Sequence, residues 1–459
     1  MDYVAIAVRH FQAKILILHV FIITWFFLFV MTFFLVPCII PPMSEIITAE
    51  KMVAGGDCIG SINGKKVFIP YAIPGEKLEV EITNEARDYC NSKIINVIEP
   101  SSKRTVPFCP LYTNCGGCNM QHIESSFQRE LRSGILKDAF EHEGIEIPEI
   151  EVVYGQDKGY RSRFQFHNGG LMGKRSNDII PLEMCPCATE EINHYLKEVP
   201  FEQRPEGRVH VFGTSRISNI PEGFDKIVIA ENTESERQSK KFNPRQKTTP
   251  GGRKLKTQKQ IKARYEGTTL NEATLCQVEL CGKKLNFDIQ GFFQSNLDVL
   301  EKAIPLVTGG LKGKNVLDMY SGCGTFSVFL ADSFEKVTMV EHNKSALVFA
   351  EQNMAGKKHE SFGLSGAVWT KYHAENVIKT GGNFDAVVID PPRSGMEKEV
   401  CQWLQKSEIP HIRSVSCDIA THARDVKFLL RAGYRLEKLY LLDFYPQTGH
   451  IESLAILEK

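Results

Sequence analysis

The chain has 459 residues, 42% of them hydrophobic and 24% charged, with 55 basic side chains set against 55 acidic ones. That length allows two to four domains with ample core, and the composition excludes wholesale disorder, collagen-like repeats and low-complexity classes. Zero net charge excludes a global field for nucleic acid, so any basic surface must be local. Residues 15–43 carry no formal charge and include Trp25, Phe26, Phe27, Phe29, Phe33 and Phe34. Such a stretch reaches the roughly 20 residues that span a bilayer as a helix. Arg9 and Lys14 before it favour a cytosolic N-terminal side, which would export everything after Pro42. The chemistry carried further on needs the cytosol. Residues 1–42 therefore read as an extension upstream of the natural start, with a membrane anchor as the alternative, and the expected location is cytoplasmic.

Residues 43–103 show short apolar runs punctuated by Gly and Pro, among them Val67-Phe68-Ile69 and the alternating Leu78-Glu79-Val80-Glu81-Ile82. Turn-separated strands of this kind predict a small OB-like β-barrel. Leu131, Ile135, Leu136 and Phe140 then recur at helical spacing within residues 124–143. Thirteen cysteines are too few for a disulfide scaffold at this length, and short spacings point instead to metal ligation or catalysis. Cys109, Cys115 and Cys118 form C-x5-C-x2-C with Gly116-Gly117 inside, and Cys185, followed by Pro186, is the best fourth ligand. Cys187 lies beyond that proline and is expected not to ligate. Spacing alone leaves zinc and an iron–sulfur cluster open. Residues 237–264 hold eleven Lys or Arg and no acid. They read as a solvated loop or as an arm that contacts RNA.

From residue 286 the pattern becomes α/β, with short buried strands separated by helices as in a parallel sheet. Val316-Leu317-Asp318-Met319 runs into Tyr320-Ser321-Gly322-Cys323-Gly324, a glycine turn that brings backbone close to a ligand. The phosphate-binding lysine of a P-loop is missing, so a nucleoside triphosphate is not expected. The next strand ends at Glu341, an acid placed for ribose hydroxyls, which suits an adenosyl ligand. At this point a dinucleotide and S-adenosylmethionine are both open. Ala386 to Ile389 runs into Asp390-Pro391-Pro392-Arg393, and Ser414-Val415-Ser416 ends at Cys417, both at the same rim. Thr448-Gly449-His450-Ile451-Glu452 adds an imidazole and a carboxylate.

In this combination, with Tyr160-Arg161-Ser162-Arg163, Phe293-Gln294-Ser295-Asn296 and Ala423-Arg424-Asp425, the chain resembles the iron–sulfur, S-adenosylmethionine-dependent RNA uracil-5-methyltransferases. The likeness runs from about Ile46 to the C-terminus. Asp418, where many members have Asn, and the two segments 1–42 and 237–264 depart from it. The resemblance implies a Rossmann-like methyltransferase domain at 286–459, preceded by a TRAM-type barrel and a central domain at 104–285 holding a [4Fe–4S] cluster. It implies Cys417 as nucleophile toward uracil carbon 6 and Glu452 as the base that removes the carbon 5 proton. It also implies Gln294, Tyr320, Glu341 and Asp390 as cofactor contacts, and Cys109, Cys115, Cys118 and Cys185 as cluster ligands. Phe292 is expected to stack on a splayed base. The expected partner is RNA, 23S ribosomal RNA ahead of transfer RNA, with no obligate protein partner and no membrane. A non-catalytic RNA-binding factor is the rival class; an NAD-dependent enzyme is disfavoured by the incomplete G-x-G-x-x-G.

Overall fold

A computed structural model describes residues 44–231 and 274–459. The apolar residues 1–42 and the basic residues 237–264 lie outside the described residues, and so do the expectations attached to them. The described chain opens with β1 (Ser44–Thr48), β2 (Lys51–Met52), β3 (Cys58–Ile62), β4 (Lys65–Ile69), β5 (Lys77–Glu85) and β6 (Tyr89–Glu99). These form one sheet in the order β1-β5-β6-β4-β3-β2, antiparallel except where β4 runs beside β6. Leu78 and Val80 are fully buried while Lys77, Glu79 and Glu81, which alternate with them, are not, the period-two signature of a strand with one wet face. Asn63 and Gly64 both take positive φ, 49° and 80°, so the β3–β4 hairpin closes in two residues.

Next comes α1 (Ser125–His142), whose buried stripe is Gln128, Arg132, Ile135, Leu136 and Phe140. Then β7 (Ile150–Val153) joins the far edge of the large sheet described below, parallel to its neighbour. A smaller layer follows, with β8 (Arg163–His167), β9 (Leu171–Met172), β10 (Ile179–Ile180), α2 (Glu190–Glu198), β11 (Arg208–Gly213) and β12 (Ile227–Glu231). The sheet β12-β11-β8 buries Phe164, Phe166 and Val211 against Ile192 and Leu196 of α2. After residue 273 the hairpin β13 (Leu275–Leu280) and β14 (Lys283–Asp288) leads into α3 (Leu297–Thr308).

The C-terminal half alternates strand and helix. In order these are β15 (Gly313–Met319), α4 (Ser327–Leu330), β16 (Phe334–Val340), α5 (Lys344–Asn353), β17 (His359–Phe362), α6 (Gly366–Tyr372) and α7 (Ala374–Gly381). There follow β18 (Ala386–Ile389), α8 (Lys398–Lys406), β19 (His411–Ser416), α9 (Ile419–Leu430), β20 (Arg435–Leu442) and β21 (Glu452–Glu458). Together with β7 they make an eight-stranded sheet in the order β17-β16-β15-β18-β19-β21-β20-β7. The first five are parallel, and β21 is antiparallel to both neighbours. Every residue of β18 is buried, as a strand covered on both faces requires. The order reverses between β15 and β18, so the crevice outside their carboxyl ends is where such a sheet takes a ligand. Among the described residues no helix is long and apolar enough to cross a membrane.

Candidate active site

The rim of the large sheet collects the chemistry because of where each strand stops. β15 ends at Met319, and Tyr320 turns the chain at φ 66° with its N–H donating to the Val340 carbonyl at 2.8 Å. A side chain in the left-handed region costs energy that the surrounding structure has to offset. Here Gly322 and Gly324 continue the turn at φ 56° and 79°. Glu341, just past β16, braces it: one carboxylate oxygen accepts from the Gly322 N–H at 3.0 Å, the other from the Asn343 N–H at 2.6 Å. Asp390 follows β18 and Cys417 follows β19. Because β21 runs antiparallel to β19 with Ser416 opposite Ser453, the first residue of β21, Glu452, arrives beside Cys417.

Gln294 reaches the same place from the chain entering α3, whose first turn is capped by Asn296 Oδ1 accepting from the Val299 N–H at 3.3 Å. Its Nε2 donates to Glu452 Oε2 at 3.2 Å, and its Oε1 accepts from the Tyr445 hydroxyl at 3.3 Å. Gln294, Tyr320, Glu341, Asp390, Cys417 and Glu452 all line one cavity of about 430 Å³. All six residues expected at the catalytic and cofactor sites thus meet, and Phe292 stands at the mouth of the cavity with 70% of its surface exposed.

Burial decides the electrostatics. Glu452 is 4% exposed, and loss of water, helped by the nearby Asp390, pushes its carboxyl up to about 8; the bond from Gln294 opposes this. Asp390 is pushed up to about 7, by burial first and then by Glu341. The Cys417 thiol is pushed up to about 11 by burial and then by Glu452 and Asp390, while the Arg393 guanidinium pulls the other way. The arrangement offers a thiol, a carboxyl able to exchange a proton near neutrality, and an acidic pocket that suits a cation. His450, the imidazole of the loop, lies at its exposed edge with its ring edge-on to Tyr445 at 5.8 Å.

The cysteines expected to bind metal also gather. Cys109, Cys115, Cys118 and Cys185 are partly exposed, and each of Cys109 and Cys115 feels the charge of Cys118 and Cys185. Cys187 is buried among them, its Sγ 3.8 Å from that of Cys118, and its thiol draws Cys185 down to about 6. Four or five thiols gathered together are the right donor set for a soft metal or an iron–sulfur cluster. Among the described residues, no group of three or more His, Cys, Asp or Glu already stands in metal-holding geometry.

Three contributors carried no role in the sequence reading. Asp443 is locked in a buried pair with Arg132 of α1 (2.8 Å, both side chains 1% exposed). Tyr445 holds Gln294. Asp318 of β15 is fully buried under the glycine turn, bonded to the Ser327 hydroxyl and pushed up to about 7 by burial. An acid inside a buried parallel strand was the signal that could have singled it out.

The chain matches the tRNA (Uracil-5-)-methyltransferase family over residues 128–459 and the TRAM domain over residues 46–95. A protein of Treponema denticola named "Uncharacterized RNA methyltransferase" is 35% identical over 454 residues, which cover 90% of this chain and 99% of the relative. The 23S rRNA (uracil(1939)-C(5))-methyltransferase RlmD of Shewanella sediminis is 28% identical, with 86% and 91% of the two chains covered. Among solved structures, Pyrococcus abyssi tRNA (uracil-54, C5)-methyltransferase in complex with S-adenosyl-L-homocysteine is similar with a TM-score of 0.62. It is 21% identical and the match covers 90% of this chain and 100% of that one, a likeness of fold.

Proposed function

The chain belongs to the tRNA (Uracil-5-)-methyltransferase family, and from that premise we propose how its own residues divide the work. It is an S-adenosylmethionine-dependent RNA uracil-5-methyltransferase with an N-terminal TRAM domain. Carbon 5 of uracil is too weak a nucleophile to attack a sulfonium methyl unaided. In the proposed sequence Cys417, ionised by loss of its proton to solvent, donates a sulfur electron pair to carbon 6. The carbon 5–carbon 6 π pair moves toward the carbon 4 oxygen and makes an enolate. Carbon 5 then takes the methyl, and the sulfonium keeps the electron pair of the broken sulfur–carbon bond. Glu452 removes the proton from carbon 5. That C–H pair restores the carbon 5–carbon 6 double bond, and the carbon 6–sulfur pair returns to Cys417.

The observation that carries this reading is the side-by-side arrival of Cys417 and Glu452 across the β19–β21 register, in the cavity that Gln294, Tyr320, Glu341 and Asp390 share. Glu341 and the glycine turn suit the ribose, Asp390 and Tyr320 the sulfonium side, and Gln294 holds Glu452 while facing the donor. Phe292 offers a ring on which an unstacked base can rest. Ribosomal RNA is the proposed substrate, supported by the coverage of the 23S rRNA relative. Labelled S-adenosylmethionine and total RNA from a deletion strain test all of this. Cys417→Ala should form no covalent adduct, whereas Glu452→Gln should accumulate an enzyme–RNA adduct that already carries methyl. Free turnover by Glu452→Gln would move the base elsewhere, and label confined to transfer RNA would change the substrate.

A [4Fe–4S] cluster on Cys109, Cys115, Cys118 and Cys185 belongs to the same proposal, supported by the gathering of these thiols from two separate segments. Such a cluster would supply no redox step here; it would tie the segments together. Cys185→Ser should bleach the brown absorbance of anaerobically purified protein, and Cys187→Ser should keep it. Bleaching by Cys187→Ser instead would exchange the two assignments.

A further inference from the structure

We propose that Asn119 is a positioning residue for the elimination step, holding the loop that delivers Glu452. The proposal rests on the reading of Glu452 as the base. Residues 443–451 link β20 to β21 and end at Glu452. The first half of this loop is held from several sides. Arg132 pairs with Asp443, the Tyr160 hydroxyl donates to the Pro446 carbonyl at 2.9 Å, and Gln128 Oε1 accepts from the Gln447 N–H at 3.0 Å. The half nearest Glu452 is held differently. Asn119 Oδ1 accepts from the Gly449 N–H at 2.9 Å, while its Nδ2 donates to the Gly55 carbonyl at 2.6 Å. The backbone N–H groups of Asn119 and Met120 both donate to the Gln447 carbonyl at 3.0 Å.

One side chain therefore joins three stretches: the cysteine-bearing loop, the turn between β2 and β3, and the approach to Glu452. The junction is tight. A Cβ at Gly449 would overlap the Gly55 carbonyl, and one at Gly56 would come 2.9 Å from Asn119 Nδ2. Gly449 precedes Glu452 by only three positions, so movement there is passed directly to the carboxylate. Cys417 follows β19, to which none of these bonds runs. Loss of the Asn119 side chain should hence misplace the base and spare the nucleophile. A misplaced acceptor slows proton abstraction because the catalytic carboxylate must sit within hydrogen-bond reach of the carbon 5 proton.

Single-turnover reactions of the full chain with methyl-labelled S-adenosylmethionine and total RNA from a deletion strain give two rates. Label entering the denaturation-resistant adduct reports addition and methyl transfer; label leaving it reports elimination. In Asn119→Ala the adduct should decay roughly tenfold more slowly, the scale of one or two lost hydrogen bonds, with formation near wild type. Asn119→Asp keeps the acceptor for Gly449 but turns an oxygen toward the Gly55 carbonyl in place of the donor, so it too should slow decay while sparing formation. If Asn119→Ala is insoluble, Asn119→Ser, whose hydroxyl cannot span both partners, takes its place. Formation and decay slowing together would mean a general loss of structure and overturn the proposal, as would unchanged decay. Glu452→Gln separates the two readings. If it traps no adduct, the base assignment fails; if it traps adduct while the Asn119 variants do not, only the positioning role fails.

Discussion

Glu452 and Asp390 hold protons more tightly than ordinary carboxyls because the cavity removes water from them, and at Glu452 the nearby Arg393 guanidinium offsets only part of that loss. The consequence for stability has a definite sign. An unfolded Glu452 titrates at 4.5 and the folded one at about 8, so between these values the folded state binds more protons. Stability contributed by this residue is therefore lost as pH rises from about 4.5 toward 8, and Asp390 acts in the same direction up to about 7. Glu452→Gln keeps the shape and an acceptor for Gln294 but does not ionise. It should unfold several degrees above wild type at pH 8.5, with the gap closing by pH 5 in thermal melts; a gap that stays constant with pH would contradict the burial argument. The same titration governs chemistry in the opposite sense, since only the ionised form is a base. Residue by residue, the site gives up stability for a proton acceptor that works near neutrality.

At the scale of elements, what was legible in the sequence is what burial writes locally. β15, β16 and β18 carry apolar runs that stop at Tyr320, Glu341 and Asp390, so these strands and the residues at their tips are legible in the sequence; β19 is mixed in composition, and Cys417 at its tip is legible from its motif. The stretch holding Glu452 was legible as a motif and not as structure. It opens an inner strand, β21, wedged antiparallel between β19 and β20, and no periodicity in seven residues announces a neighbour. The helix α1 shows the same limit. Its pattern pointed to Leu131, Ile135, Leu136 and Phe140, while the helix also buries Gln128 and Arg132. Two polar side chains on a core face make sense only when their partners are known. Those partners are Gln447 and Asp443, 319 and 311 residues away in the chain. Satisfied buried polar groups are common, and a sequence does not reveal who satisfies them.

At the scale of the whole molecule, the N-terminal sheet is not strung on a linker. Val67, Ile69 and Leu78 belong to the same continuous apolar core as Phe140, Leu317 and Val387. Glu76, with a fully buried side chain, is paired with Arg104 at 2.6 Å just beyond the last strand of that sheet. A partner-less Glu76 would be a costly buried charge, so this link fixes how the sheet meets the loop after it. Composition could mark the sheet as a unit, and the family match at residues 46–95 agrees with that reading. At its edge the Asn119 side chain ties the backbones of Gly55 and Gly449 together, a junction that follows from tertiary packing alone.

The acidic lining of the cavity has a further consequence for turnover. S-adenosylmethionine carries one positive charge more than the S-adenosylhomocysteine it becomes. With Asp390 at about 7 and Glu452 at about 8, part of the lining is protonated at neutral pH, and an entering sulfonium favours the ionised forms. Donor binding should expel protons into the buffer while product binding expels few, so affinity for the donor should climb between about pH 6 and 8 as that for the product stays level. Titration calorimetry in two buffers of different ionisation heat counts those protons, and equal counts for both ligands would refute the idea. The pocket then sorts fresh donor from spent product by charge, and product inhibition fades toward alkaline pH.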